Sequence, residues 1–257
     1  MQNHEALSAL LEGMGASFTG FSYVGEKVKE SFPMLPYAVT AGVRLSDATI
    51  DEITDKPTFT YFHHYRTVNA LLDQIALRGL LFLQQQGYHA VAVPASQTVN
   101  HTNDPYSGIF PHKTAAVLAG LGRIGKNGLF LHDEFGPRVR LVTILTNMEL
   151  PLLFGKAATE ATQATQAAQA EQVGKIKNAE EKRSCHGCNR CVEACPAMAL
   201  TGREWYEGAA REEIVDAKAC SDYMNQHFKQ IGRGSVCGIC IQVCPACSFQ
   251  HCNKKTI

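Results

Sequence analysis

Two cysteine runs near the C-terminus constrain this chain more than any other feature: Cys185-x2-Cys188-x2-Cys191-x3-Cys195-Pro196 and, after a lone Cys220, Cys237-x2-Cys240-x3-Cys244-Pro245. In the first run, two-residue gaps let one loop fold three thiolates around the corners of a cubane, whereas the fourth cysteine lies a helical turn onward and faces elsewhere. That fourth cysteine serves a second cluster. Proline disfavours helical geometry in the residue before it, so each run reads as a loop, one helical turn and a stop. A zinc ribbon would use C-x2-C pairs with four ligands per metal, which does not account for the first run. Two 4Fe–4S clusters need eight thiolates, and the runs with Cys220 supply eight. Crossing over of the fourth cysteine assigns Cys185, Cys188, Cys191 and Cys244 to one cluster and Cys195, Cys220, Cys237 and Cys240 to the other. The clusters are then neighbours, and Cys247 and Cys252 are surplus, expected as free thiols.

Composition supports metal rather than disulfides. All ten cysteines follow residue 184, and the start, MQNHEALSALLEGMG, has neither a basic region nor a long apolar run. No stretch reaches the roughly 18 apolar residues of a membrane span, so a soluble, cytoplasmic protein without a membrane partner is expected. Lys+Arg and Asp+Glu balance at 24 each, which excludes the global basic field that drives non-specific binding to nucleic acid. At 257 residues and 45% hydrophobic, the chain can bury one good core plus a small appended module.

The pattern along the chain fits that division. Leu7, Leu10 and Leu11 give a first helix over residues 3–15. Strands are expected at 18–24 and 38–45, with Pro33 and Pro36 marking an irregular turn between them. Residues 58–86 carry Leu71, Leu72, Ile75, Leu80 and Leu83 on one stripe, a single long helix with Gly79 as its possible bend. HAVAV, 89–93, reads as a short buried strand and 113–119 as a short helix; 129–132 and 139–146 read as paired strands joined around Gly136-Pro137. The expectation is an α/β or α+β domain with a mixed sheet over residues 1–150, a linker or arm over 151–182, and a cluster module over 183–257. The low-complexity stretch KAATEATQATQAAQAEQ lies in the arm.

Two further motifs bear on chemistry. Gly120, Gly122 and Gly125, followed by Lys126, superficially match a dinucleotide fingerprint, but a helix precedes and a strand follows, the reverse of what that fingerprint requires. The glycines either let backbone pass close to something flat or bulky, or form a helix C-cap and turn. The polar stretch 97–113 collects His101, Asp104, Tyr106, His112 and Lys113 between two apolar elements. Asp104 or Tyr106 could deliver a proton and His112 or Lys113 could hold an anionic group. His63 and His64, being adjacent on a helix, cannot both face one site.

The run PHKTAAVLAGLGRIGKNGLF at 111–130, CHGCNRCVEACPAMAL at 185–200, Cys220-Ser-Asp-Tyr223 and CGICIQVCP at 237–245 together resemble the epoxyqueuosine reductase family, cobalamin-dependent iron–sulfur reductases related to reductive dehalogenases. The resemblance implies a nitroreductase-like domain carrying a corrinoid, beside a bacterial-ferredoxin-like two-cluster module. It makes Gly120, Gly122, Gly125, Lys126, His112 and Lys113 the expected cofactor contacts. Electrons would come from a ferredoxin or flavodoxin-type donor and pass to a small organic or nucleoside-type substrate. The family's catalytic aspartate falls, counted without gaps, on Tyr106, with Asp104 the nearest acid. Full-length members carry a C-terminal helical-repeat region thought to help hold tRNA, whereas this sequence stops at Ile257, so it reads as a short form in which tRNA recognition is in doubt. A cluster-carrying electron-transfer protein without a corrinoid stands as the alternative.

Overall fold

The computed structural model describes residues 3–28, 30–97, 106–152, 185–206, 208–234 and 236–246. Helix α1 (Asn3–Gly13) leads into strand β1 (Phe18–Tyr23), a turn of helix α2 (Gly25–Val28), strand β2 (Tyr37–Arg44), short helix α3 (Asp47–Asp51) and the long helix α4 (Phe59–Gln85). Thr58 caps α4, its hydroxyl accepting from the Tyr61 amide at 3.0 Å, and Gly87, at φ +85°, turns the chain away at the other end. Strand β3 (Ala90–Val93), helix α5 (His112–Leu118), the hairpin strands β4 (Gly122–Ile124) and β5 (Phe130–His132), and strand β6 (Val139–Thr146) follow.

The main sheet runs β1-β2-β6-β3, and every pairing among the described residues is antiparallel. This corrects the expected mixed sheet; the class is α+β. A second correction concerns β5 and β6, which are not paired with each other. Both edges of β6 are taken by β2 and β3, so β5 pairs instead with β4 in a separate two-stranded sheet. Strand β3 is also less enclosed than expected, since only Val93 of it is buried.

Side-chain alternation divides the interior into layers. Val39, Ala41, Val142 and Ile144 pack on one face of the sheet against Leu72, Ile75 and Leu83 of α4 and Leu7 and Leu11 of α1. Ala38 and Leu145 point to the opposite face, where Ala115 of α5 and Phe110 meet them. Gly79 lets α4 lie close on the sheet, because a Cβ there would run into Ile144.

The cysteine segment adds helices α6 (Arg190–Glu193), α7 (Arg211–Ile214), α8 (Ala217–His227), α9 (Lys229–Gly232) and α10 (Ile239–Gln242). Its Val236, Ile239 and Ile241 belong to the same buried cluster as Leu72 and Ile144, so the two parts share one core. At the junction Tyr61 and Ile53 press on Gly238, which stands at φ +82°. Among the described residues no helix is long and apolar enough to cross a membrane.

Candidate redox site

Each cysteine run folds as a loop followed by one helical turn. Cys185 and Cys188 lie on a turn closed by a 3.0 Å bond from the Cys188 amide to the Cys185 carbonyl, and Cys191 sits in α6. Helix α6 stops at Glu193, two residues before Cys195. The second run repeats the plan: Cys237 precedes the left-handed Gly238, Cys240 lies in α10, and Cys244 follows two residues after Gln242. Cys220 is presented by α8, whose first turn is capped by the Asp216 carboxylate accepting from the Ala219 amide at 2.8 Å.

The fold gathers these eight thiols into two groups. Burial pushes the Cys244 thiol up to about 11, and Cys185, Cys191 and Cys188 add to the rise. Burial likewise pushes Cys220 up to about 11, with Cys237 and Cys195 as its thiol neighbours. Cys240 is raised by burial and then by Cys237, Cys220 and Cys195, and also feels Cys191 of the other group. Cys185, Cys188, Cys191 and Cys244 thus lie together, Cys195, Cys220, Cys237 and Cys240 lie together, and the groups adjoin. Among the described residues no three His, Cys, Asp or Glu side chains converge as a single-ion site. The donor set is all sulfur, with Cys191 buried and the other seven half-buried, which suits iron–sulfur chemistry; iron would hold these thiols as thiolates.

A cavity of about 760 Å³ takes in the second group, so it includes the space a cluster there would fill. All four of its cysteines line it, together with Leu129 and Ile124 of the β4–β5 hairpin and Trp205, Tyr223 and Ile239 of the cysteine segment. The residues 106–111 close one side, where Arg211 Nη1 donates to the Tyr106 carbonyl at 2.6 Å. Lys113 is exposed into this cavity while protein encloses it elsewhere, and its Nζ donates to the Gly128 carbonyl at 2.5 Å. Burial, and secondarily the Arg211 guanidinium, hold its pKa below the ordinary lysine value.

The other expected contacts are placed differently. His112 is an internal strut: Nδ1 pairs with the Thr143 hydroxyl at 2.9 Å, and Nε2 meets the Pro94 carbonyl at 2.9 Å. Burial, opposed by that carbonyl, lowers its pKa to about 4, so the ring is neutral and unsuited to holding an anion. Gly120, at φ +70°, ends α5, and Gly122, at φ +154°, lets β4 approach β5, where a Cβ would strike the Leu131 carbonyl oxygen. The C-cap-and-turn reading thus accounts for both. Lys126 and Asn127, at the hairpin tip, point to the cysteine loops. Lys126 Nζ donates to Asn189 Oδ1 at 3.2 Å and Asn127 Nδ2 to the Cys240 carbonyl at 3.3 Å. Asp104 and His101, Cys247 and Cys252, and the Ala/Thr/Gln stretch lie outside the described residues. Trp205, Arg211 and Asn127 are contributors the sequence reading missed. Tyr223 was detectable, three residues after Cys220 and so on the same helix face.

Residues 184–247 match the model of a 4Fe-4S double cluster binding domain. The cofactors of this segment are two 4Fe–4S clusters. Curated relatives include the tetrachloroethene reductive dehalogenase of Sulfurospirillum multivorans, 29% identical over 173 residues, spanning 64% of this chain and 26% of that protein. A second, from Desulfitobacterium hafniense, is 26% identical over 189 residues, spanning 67% of this chain and 26% of the relative. The chain therefore spans about a quarter of the length of the curated relatives it matches. Among solved structures, the catabolic reductive dehalogenase NpRdhA in complex with 3-bromo-4-hydroxybenzoic acid superposes with a TM-score of 0.65 at 19% identity, over 95% of this chain and 31% of that one. Epoxyqueuosine reductase from Streptococcus thermophilus gives 0.54 at 17% identity, over 96% and 66%. The fold is thus shared with both groups of reductases, and these dehalogenase coordinates superpose better than the epoxyqueuosine reductase to which the motifs pointed.

Proposed function

We propose that this chain is an iron–sulfur reductase in which electrons pass through the two clusters to a corrinoid held in the cavity. The observation that carries this reading is the position of the second thiol group, whose four members all line the cavity while the other four do not. Cys185, Cys188, Cys191 and Cys244 would hold the cluster that meets an external ferredoxin or flavodoxin-type donor, since His186 and Gly187 between the first two are exposed. Part of the cavity is the space the second cluster itself would fill, and beyond it the faces of Trp205, Leu129 and Ile124 suit the edge of a flat apolar ring. When bound, a corrinoid supplies the strongly reducing centre at which a carbon–halogen or carbon–oxygen bond is cleaved.

The chain's own residues do the rest. Ile124, Leu129 and Trp205 keep water from the reacting atoms, and Lys113, with its lowered pKa, releases a proton more readily than an ordinary lysine. Tyr106, on the cavity side and tied through its carbonyl to Arg211, is the second candidate donor. Replacing a leaving group by hydrogen consumes an electron pair and this proton. The likeness to dehalogenases directs the proposal to a small organic substrate rather than to tRNA.

Anaerobic reconstitution should give about eight irons per chain, the requirement of two cubanes. Added cobalamin should then stay with the protein through gel filtration and change its absorption spectrum. A reconstituted protein that retains no corrinoid would refute the reductase reading and leave an electron carrier.

A further inference from the structure

The tip of the β4–β5 hairpin reaches both cysteine loops with consecutive side chains, and one of them is a buried cation. Lys126 is 8% exposed, and its one hydrogen-bonding partner among the described residues is the neutral amide oxygen of Asn189, between Cys188 and Cys191. An ammonium largely covered by protein, whose partner is the neutral amide of exposed Asn189, gains from an anion placed close by. The adjoining Asn127 is 5% exposed and tied to the Cys240 carbonyl, so the backbone that carries Lys126 is anchored at the hairpin tip.

We propose that Lys126 sets the reduction potential of the cluster held by Cys185, Cys188, Cys191 and Cys244. A thiolate-ligated cubane is anionic and gains one further negative charge when it accepts an electron. A cation fixed beside its ligand loop stabilises the reduced form more than the oxidised form, because the attraction grows with the added charge. Burial makes that attraction stronger than at a solvated surface and less sensitive to salt. Lys126 is a positioning residue here: it touches neither substrate nor donor and acts through the cluster's electrostatics. The inference rests on the ligand grouping above but not on the corrinoid, so a protein that binds no corrinoid leaves it standing.

The test is an anaerobic redox titration followed by EPR on the reconstituted full chain. In K126Q, whose amide can still reach Asn189, and in K126M, which keeps most of the apolar stem, the midpoint of the cluster held by Cys185, Cys188, Cys191 and Cys244, recognised as the one retained in C220A, should move to more negative potential while the other moves less. K126R, which keeps the charge, should stay near the native value. Native midpoints in K126Q or K126M, at full iron content, would overturn the proposal. So would loss of iron from both K126Q and K126M but not K126R, because the charge would then be holding the cluster rather than tuning it.

Discussion

Replacing Gly122 by alanine probes how the hairpin supports the redox site. Gly122 stands at φ +154°, a region L side chains rarely adopt, and a Cβ there would strike the Leu131 carbonyl oxygen, with the His132 Cα 3.0 Å away. The conformational part alone is worth about 1–3 kcal/mol. The obstacle is backbone, so β4 and β5 must part and weaken the ladder that pairs Gly122 with His132 and Arg123 with Leu131, at about 1 kcal/mol for each hydrogen bond lost. The sum is about 3–5 kcal/mol, which for a chain of this size lowers the melting midpoint by about 10 °C. Gly87→Ala is the control: φ is +85° but nothing lies within 4 Å of a Cβ, so only the conformational strain applies, about 1–2 kcal/mol. Anaerobic calorimetry of both variants, with iron retention followed under a chelator, separates the two effects. G122A should melt well below G87A and release iron faster, because the parted hairpin withdraws Asn127 from the Cys240 carbonyl. Equal melting of G122A and G87A would show that the Leu131 carbonyl is no barrier and refute the reasoning.

Two other expectations are as direct. Cys220→Ala should remove the cluster that faces the cavity and spare the other, dropping iron from about eight to about four per chain; loss of all the iron, or of none, would contradict the grouping. His112, with a folded pKa of about 4 against an unfolded value of 6.5, binds fewer protons folded than unfolded. Its contribution is therefore full above pH 6.5 and is lost as pH falls towards 4, by about 2 kcal/mol at pH 5. His112→Gln should flatten that part of the stability profile, and an unchanged slope in unfolding experiments between pH 7 and 5 would exclude the assignment.

What the sequence disclosed, and what it withheld, follows from the range of the interactions involved. Helices α1 and α4 were legible because their periodicity is local and their burial follows it, whereas the burial of β1 and β2 does not alternate and their apolar residues were the only signal. The two-cluster character was legible too, since cubane geometry dictates cysteine spacing, and residues 184–247 match a 4Fe-4S double cluster domain. The partner of β5 was not, because a short strand close to β6 in sequence looks like half of a hairpin until β2 and β3 are known to flank β6 on both sides. Nor could the glycine string announce β4, a strand of three residues with no period to detect. Arg211 meets Tyr106 across a sequence separation of 105, a contact that only the closed fold creates.

The shared core has a bearing on how such a chain can change over time. Because Val236, Ile239 and Ile241 are packed with Leu72 and Ile144, parting the cluster segment from the N-terminal half would expose apolar surface on both. Ile53 and Tyr61, which handle no electrons, are nonetheless fitted against Gly238 in the loop between Cys237 and Cys240. Both also belong to the main core, so a substitution at either would disturb the cysteine loop and the packing under the sheet together.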